Sequence, residues 1–296
     1  MVDQAENLRA LMSKQSVDER RSHRVVAIAS GKGGVGKSNF CVNFALGLQR
    51  AGYRPIVIDA DVGFADIEVL LGIRPRKNIV DVIEGLPIWE ALEYDASGLP
   101  FLSASNGLLN IHDLSAEQVE RLMEELKKLQ DKYDIVLIDS GAGLGQNLIR
   151  LLAAADDLVL VTTPEPTAIA DCYALLKKLV ARGEVPFTRM VVNRVKNLSE
   201  GKLTADKLRA VAHRFLDVEL GVLGYLLEDS AVQSAVKRQE ALLSAFPTSP
   251  ASRCIEQTVR NFMNKQPTHP RKGLAGFVER LLRRRLPEGF DSSHTA

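Results

Sequence analysis

Short apolar runs without polar alternation recur along this 296-residue chain, separated by stretches in which apolar residues return every three or four positions. The runs lie at 24–30, 55–59, 99–103, 133–139, 158–162 and 189–193, with a final one at 219–225. A run that is apolar throughout predicts a strand covered on both faces. Helical spacing at 37–50, 115–131, 167–181 and 204–215 predicts the layers that cover it. Together these patterns specify an α/β fold, a mostly parallel, doubly wound sheet with helices on both faces. Sheets of this kind bind ligands beyond the carboxyl ends of their strands. Ser30, Asp59, Asp139, Thr163 and Asn193 stand where an apolar run stops, so the fold should gather them on one rim.

Two regions break the alternation. Residues 1–23 are polar with few large apolar groups, and from about residue 265 the chain is interrupted by Pro267 and Pro270 before a basic segment. Both read as tails on a single domain spanning 24–264, which a chain with 46% hydrophobic and 25% charged residues can fill with one core. A formal charge of +1 supplies no overall attraction to nucleic acid or membrane, so any such attraction must come from a local cluster. Cys41, Cys172 and Cys254 are odd in number and widely spaced, which argues against a disulfide framework or a zinc site. The first residues carry no secretory pattern and no apolar stretch is long enough to span a bilayer, so a cytoplasmic protein is expected.

The densest chemistry is the stretch Gly-Lys-Gly-Gly-Val-Gly-Lys-Ser at 31–38, which follows a predicted strand and opens a predicted helix. That is the context of a phosphate-binding loop. Gly31, Gly33, Gly34 and Gly36 let the backbone curl and aim its N–H groups at phosphate oxygens; Lys37 is placed for the β/γ-phosphates and Ser38 for Mg2+. Val35 and Asn39 complete the ATP-binding stretch. Lys32 is not required by that geometry, so its flexible stem is free to reach the nucleotide of a second subunit, which suggests a nucleotide-sandwich dimer. Asp139 ends a predicted central strand and is the natural carboxylate of the Mg2+ shell. Asp59 and Asp61 are two residues apart, a spacing that in extended backbone puts both on one face, one toward metal-bound water and one toward an attacking water. Asn193 can offer a donor and an acceptor to a purine edge, Asp229 can accept from an exocyclic amine, and Arg194 can lie along the ring. Plainer roles stay open, a cap or turn amide for Asn193 and a solvated loop carboxylate for Asp61. No guanine-reading NKxD is present, so ATP with Mg2+ is the expected cofactor pair and its hydrolysis the expected reaction.

Residues 32–38 resemble the deviant Walker A motif, KGGxGK followed by Thr or Ser, of the MinD/ParA ATPases. IDADVGFADIEVLLG at 58–72 resembles that family's first switch, and VLIDSGAGLG at 136–145 resembles its Walker B and second switch. The resemblance spans about residues 24 to 262, and DSGAG in place of the more usual DSPAG points to the branch concerned with flagellar placement. It implies that Lys32 contacts the partner's phosphates, that Asp61 orients the hydrolytic water, that Asp59 joins Ser38 and Asp139 around Mg2+, and that Asn193 and Asp229 assist adenine binding.

Both tails fit this reading. Leu274, Phe277, Val278, Leu281 and Leu282 form one apolar stripe at 273–286, opposite Arg280, Arg283 and Arg284 and flanked by Arg271, Lys272 and Arg285. Such a helix lies in the headgroup plane of anionic membrane, peripheral on the inner face of the cell membrane, and ATP-driven dimerisation would double it; a core-packed helix is the alternative. Asp3, Gln4, Ala5, Leu8 and Arg9 resemble the family's DQAxxLR element, which implies docking on an FlhF-type GTPase of the signal-recognition-particle class and stimulation of its GTP hydrolysis. The expected partners are a second copy of the chain, that GTPase and anionic lipids, with flagellar C-ring proteins left open and no nucleic acid. A DNA-partitioning ParA would need a basic dimer surface. A septum-placing MinD lacks the DQAxxLR extension, and an electron-transfer relative would need cluster cysteines at 141–149, where there are none.

Overall fold

The computed structural model describes residues 23–61, 66–104, 113–264 and 273–282. In chain order the elements are β1 (Arg24–Ala29), α1 (Lys37–Arg50), β2 (Pro55–Ala60), α2 (Asp66–Leu71), α3 (Ile79–Ile83), β3 (Leu92–Tyr94), β4 (Pro100–Ser103), α4 (Ala116–Lys132), β5 (Ile135–Ser140) and α5 (Gln146–Ala154). There follow β6 (Asp157–Thr162), α6 (Pro166–Ala181), β7 (Phe187–Val195), α7 (Leu198–Leu216), β8 (Gly221–Leu227), α8 (Ser230–Arg238), α9 (Leu242–Ala245), α10 (Pro250–Asn264) and α11 (Gly273–Leu282). Among the described residues the strands form one sheet in the order β3-β4-β2-β5-β1-β6-β7-β8, parallel throughout except for β3, which runs antiparallel to β4. This is the expected doubly wound α/β sheet.

Its central strands are apolar on both faces because both faces are covered. Val25, Ala27 and Ala29 of β1 belong to one core with α4, α5, α6 and α7, whereas Val26 and Ile28 belong to the other with α1 and α10. Two helix starts show a local cause. Ser115 and Gln118 form a reciprocal capping box for α4, and Asn197 caps α7, which begins six residues before the expected 204 because that cap precedes it. The edge strand β3 is only three residues long and carries no apolar run, so it left no sequence signal.

At the amino ends of the strands, away from the expected site, the Asp157 carboxylate is bonded by Arg24 and Arg189. The two guanidinium groups lie 4.1 and 4.6 Å from the ring centroid of Phe262, which covers them with apolar surface while Asp157 supplies the charge.

The C-terminal helix takes the core-packed position that stood as the alternative to a membrane surface. The apolar stripe of α11 is inside the molecule, with Leu274, Phe277, Val278 and Leu281 no more than 2% exposed and Leu282 packed partly buried against the same core. With its amide oxygen turned toward the helix, Gln130 of α4 caps the first turn through the N–H groups of Leu274 and Ala275. Arg280 donates from Nε to the Ala154 carbonyl at 2.6 Å and pairs with Asp156 at 2.8 Å. In this conformation the stripe faces protein, since an apolar strip beside the groove lined by α4, α5 and β1 gains more from packing than from remaining in water. Residues 283–286 lie outside the described residues. Phe277→Ala should therefore lower unfolding free energy in urea by about 3–5 kcal/mol; a loss under about 1 kcal/mol would contradict the docked position.

Candidate nucleotide site

The turn between β1 and α1 delivers the glycine-rich loop to the rim. Gly34 and Gly36 have φ of 77° and 87°, a left-handed backbone that would strain any residue with a Cβ. At Gly31 the constraint is space: a Cβ there would lie 2.2 Å from the backbone carbon of Asp171, so the loop's front rests directly on α6. Ser30 donates its hydroxyl to the Lys32 carbonyl at 2.9 Å, and Asn193 donates from Nδ2 to the Val35 carbonyl at 2.8 Å. The loop is held from below and from the end of β7.

Beneath it, β2 and β5 pair Asp59 with Asp139 in register. Both carboxylates are buried, and each has one oxygen, Oδ2, without a hydrogen-bond partner. Lys37 Nζ donates to Asp139 Oδ1 at 2.7 Å and to Ser38 Oγ at 3.1 Å. Burial and the neighbouring Asp139 charge push the Asp59 carboxyl up to about 7. Asp139 is also raised, chiefly by burial and against the pull of Lys37. Burial alone would depress the Lys37 ammonium, but Asp139 outweighs it and the pKa ends above the usual lysine range. Among the described residues no group of three or more His, Cys, Asp or Glu forms a ready cage for a metal. Two carboxylates with orphaned oxygens beside a serine hydroxyl suit Mg2+, which draws its remaining ligands from water and phosphates.

Asp61 lies just past the end of β2, so it shares a loop with the site and not a strand face with Asp59. Its N–H donates to Asp59 Oδ1 at 3.0 Å, and a Cβ at Gly141 would lie 3.3 Å from its Oδ1. The second switch thus passes directly over Asp61. Lys178 of α6 pins that segment by donating to the Leu144 carbonyl at 2.7 Å. These residues open on a cavity of about 1420 Å³ whose far wall is apolar, with Phe40, Leu226, Val232, Leu242 and Ile255 among its lining.

The three residues expected at the base, Asn193, Arg194 and Asp229, all line this cavity. The two oxygens of Asp229 accept from Ala231 N–H at 2.9 Å and Ala251 N–H at 3.1 Å, so the carboxylate brackets the starts of α8 and α10. Burial works against its charge, but those donors and Ser249 bring its pKa below the usual value. Asn193 likewise uses its amide nitrogen on Val35 and its oxygen on the Arg194 N–H. Arg194 lines the cavity in a left-handed conformation, φ 56°. Asp229 and Asn193 line the cavity and also hold its walls through these backbone contacts. Sequence reasoning also missed Glu165 and Thr167, which hold Lys32 Nζ at 2.8 and 3.1 Å. The exposed start of α6 carried no periodic signal that would have linked them to the loop.

The Asp59 geometry has a pH signature. The fold binds a proton at Asp59 up to about pH 7, whereas the unfolded chain releases it near pH 4, so metal-free stability falls as pH rises through that window and the penalty is complete above it. In chelator, Asp59→Asn should raise the melting temperature at pH 8, by about 2–4 °C per kcal/mol of strain removed, and change it little at pH 4.5. Parallel pH dependence of variant and parent in calorimetry would count against it.

A family model described as an AAA domain matches residues 23–182. The chain is 37% identical to the antiactivator FleN of Pseudomonas aeruginosa, over 88% of this chain and 93% of that protein. It is 32% identical to the flagellum site-determining protein YlxH of Helicobacter pylori, over 96% of this chain and 99% of that one. In structure it is similar to the MinD cell division protein of Aquifex aeolicus, with a TM-score of 0.64 and 27% identity over 84% of this chain and 99% of that chain. With its two-lysine phosphate loop set over a buried carboxylate pair, the chain belongs to the MinD/ParA family of P-loop ATPases, in the branch that includes FleN and YlxH.

Proposed function

We propose that this ATPase regulates flagellar number or placement by cycling between a cytoplasmic monomer and an ATP-bound homodimer on the inner face of the cell membrane. The observation that carries the reading is the placement of Lys32: its side chain is 41% exposed on the loop, outside its own phosphate cradle, where a facing copy can be reached. The flagellar assignment rests on the similarity to FleN and YlxH.

The residues divide the work. Backbone N–H groups of the loop and Lys37 grip the phosphates, and Ser38, Asp139 and Asp59 would hold Mg2+. When bound, the metal neutralises charge on the phosphate oxygens. Asp61, fixed by its own N–H on Asp59 and overlain by Gly141, is placed to orient the attacking water, a positioning role that suits a carboxylate beside phosphate. Lys32 of each copy supplies the cation that completes the other's site.

The docked α11 supports a gated membrane contact. Its binding surface includes α5, which starts at Gln146 directly after the second switch, and the Ala154 carbonyl and Asp156 at the far end of α5 hold Arg280. A shift of the second switch on dimerisation would act on both ends of that support. One released helix binds membrane marginally, whereas two in a dimer gain by avidity on the order of a hundredfold. The DQAENLR segment, outside the described residues, would engage the FlhF-type GTPase, with C-ring proteins as further partners.

Liposomes containing anionic lipid test the cycle. The full chain with Mg2+ and a non-hydrolysable ATP analogue should elute as a dimer, pellet with the liposomes and lose hydrogen-exchange protection across 273–282, while the ADP form stays monomeric, soluble and protected. Equal pelleting in both nucleotide states would remove the switch.

A further inference from the structure

Both lysines of the phosphate loop are already paired with carboxylates of their own chain, in opposite settings. Lys37 meets Asp139 with side chains 6% and 0% exposed, and Lys32 meets Glu165 with side chains 41% and 55% exposed. The buried pair lies where a bound nucleotide must enter, so the chain's own ATP opens it. The exposed pair lies outside the cradle, where the first competing anion is the nucleotide of a facing copy.

We infer that Glu165, with Thr167, is a positioning residue that parks Lys32 in the monomer and sets the threshold at which two ATP-bound copies close. The inference rests on the dimer reading above and adds what opposes closure. Glu165 and Thr167 flank Pro166, whose ring fixes the backbone at the start of α6 from which both acceptors project. Lys32 Nζ donates to Glu165 Oε2 and to Thr167 Oγ1. Its backbone is held independently, by the Ser30 hydroxyl on its carbonyl and by the seat of Gly31 on the backbone of Asp171 and Cys172. The ammonium can therefore leave α6 by rotation of its stem alone, with the phosphate cradle undisturbed. Arg194 also bears on Glu165: the Lys32 hydrogen bond and charge, and less strongly the Arg194 charge, hold the Glu165 carboxyl below the usual glutamate range.

A single carboxylate restrains the ammonium against bulk water but is outcompeted by a triphosphate, which carries several negative charges. Closure thus requires nucleotide in the facing copy, and the restraint is weak enough to be reversible.

The test uses full-length protein with Mg2+ and a non-hydrolysable ATP analogue, and measures the protein concentration at half-dimer by analytical ultracentrifugation. Glu165→Gln should lower that concentration roughly two- to thirtyfold, the span expected of two exposed ion pairs, one released in each copy. Thr167→Ala should shift it the same way by less, and Glu165→Asp, which keeps the charge, should return it toward the parent. General damage to α6 would instead raise it. An unchanged or raised half-dimer concentration for both Glu165→Gln and Thr167→Ala, with the parent dimerising, overturns the parking role and leaves the dimer reading intact. A parent that stays monomeric overturns both.

Discussion

The ion pair between Lys37 and Asp139, buried beside a second carboxylate at Asp59, is the constraint around which the molecule is organised. Three ionisable groups sit where β1, β2 and β5 end, with one ammonium against two carboxylates. The mismatch is unfavourable in the absence of a cation and phosphate, and it explains both the raised Asp59 and the orphaned carboxylate oxygens. The fold tolerates it because the surrounding strands are apolar on both faces and packed on both sides. A metal and a triphosphate would engage the orphaned oxygens of Asp59 and Asp139 and balance their charge.

In the proposed cycle, two sets of contacts would link that centre to the surfaces. Toward a second copy, α6 supports the front of the loop at Gly31 and presents the acceptors that hold Lys32. Toward the membrane, the second switch leads into α5, whose far end holds the Arg280 guanidinium of the docked α11. Lys178 joins the two routes, because it lies on α6 and grips the second switch at Leu144. The proposed cycle needs a change at the phosphates to act through these contacts on both surfaces.

Most of this was legible in the residues where local chemistry and fold agree. The phosphate loop, Asp139 at the end of a fully apolar strand, and the rim formed by strand ends all follow from pattern and spacing. Three kinds of feature were not. Asp229 and Asn193 are polar groups near a pocket, and residue type alone cannot tell whether their atoms face a ligand or a backbone N–H or C=O brought close by tertiary packing. The stripe of α11 satisfies a membrane surface and a protein groove equally well, since both reward the same apolar face, and the outcome depended on a groove built from distant segments. The Lys32–Glu165 contact joins residues 133 positions apart and shows no periodicity at all.

The most direct test of the account is the structure of the chain with Mg2+ and a non-hydrolysable ATP analogue bound. Lys37 Nζ should have left Asp139 for the phosphate oxygens, and the freed Asp139 carboxylate should face the metal. A Lys37–Asp139 contact still near 2.7 Å with nucleotide in the cradle would contradict the idea that this pair is the element the ligand opens.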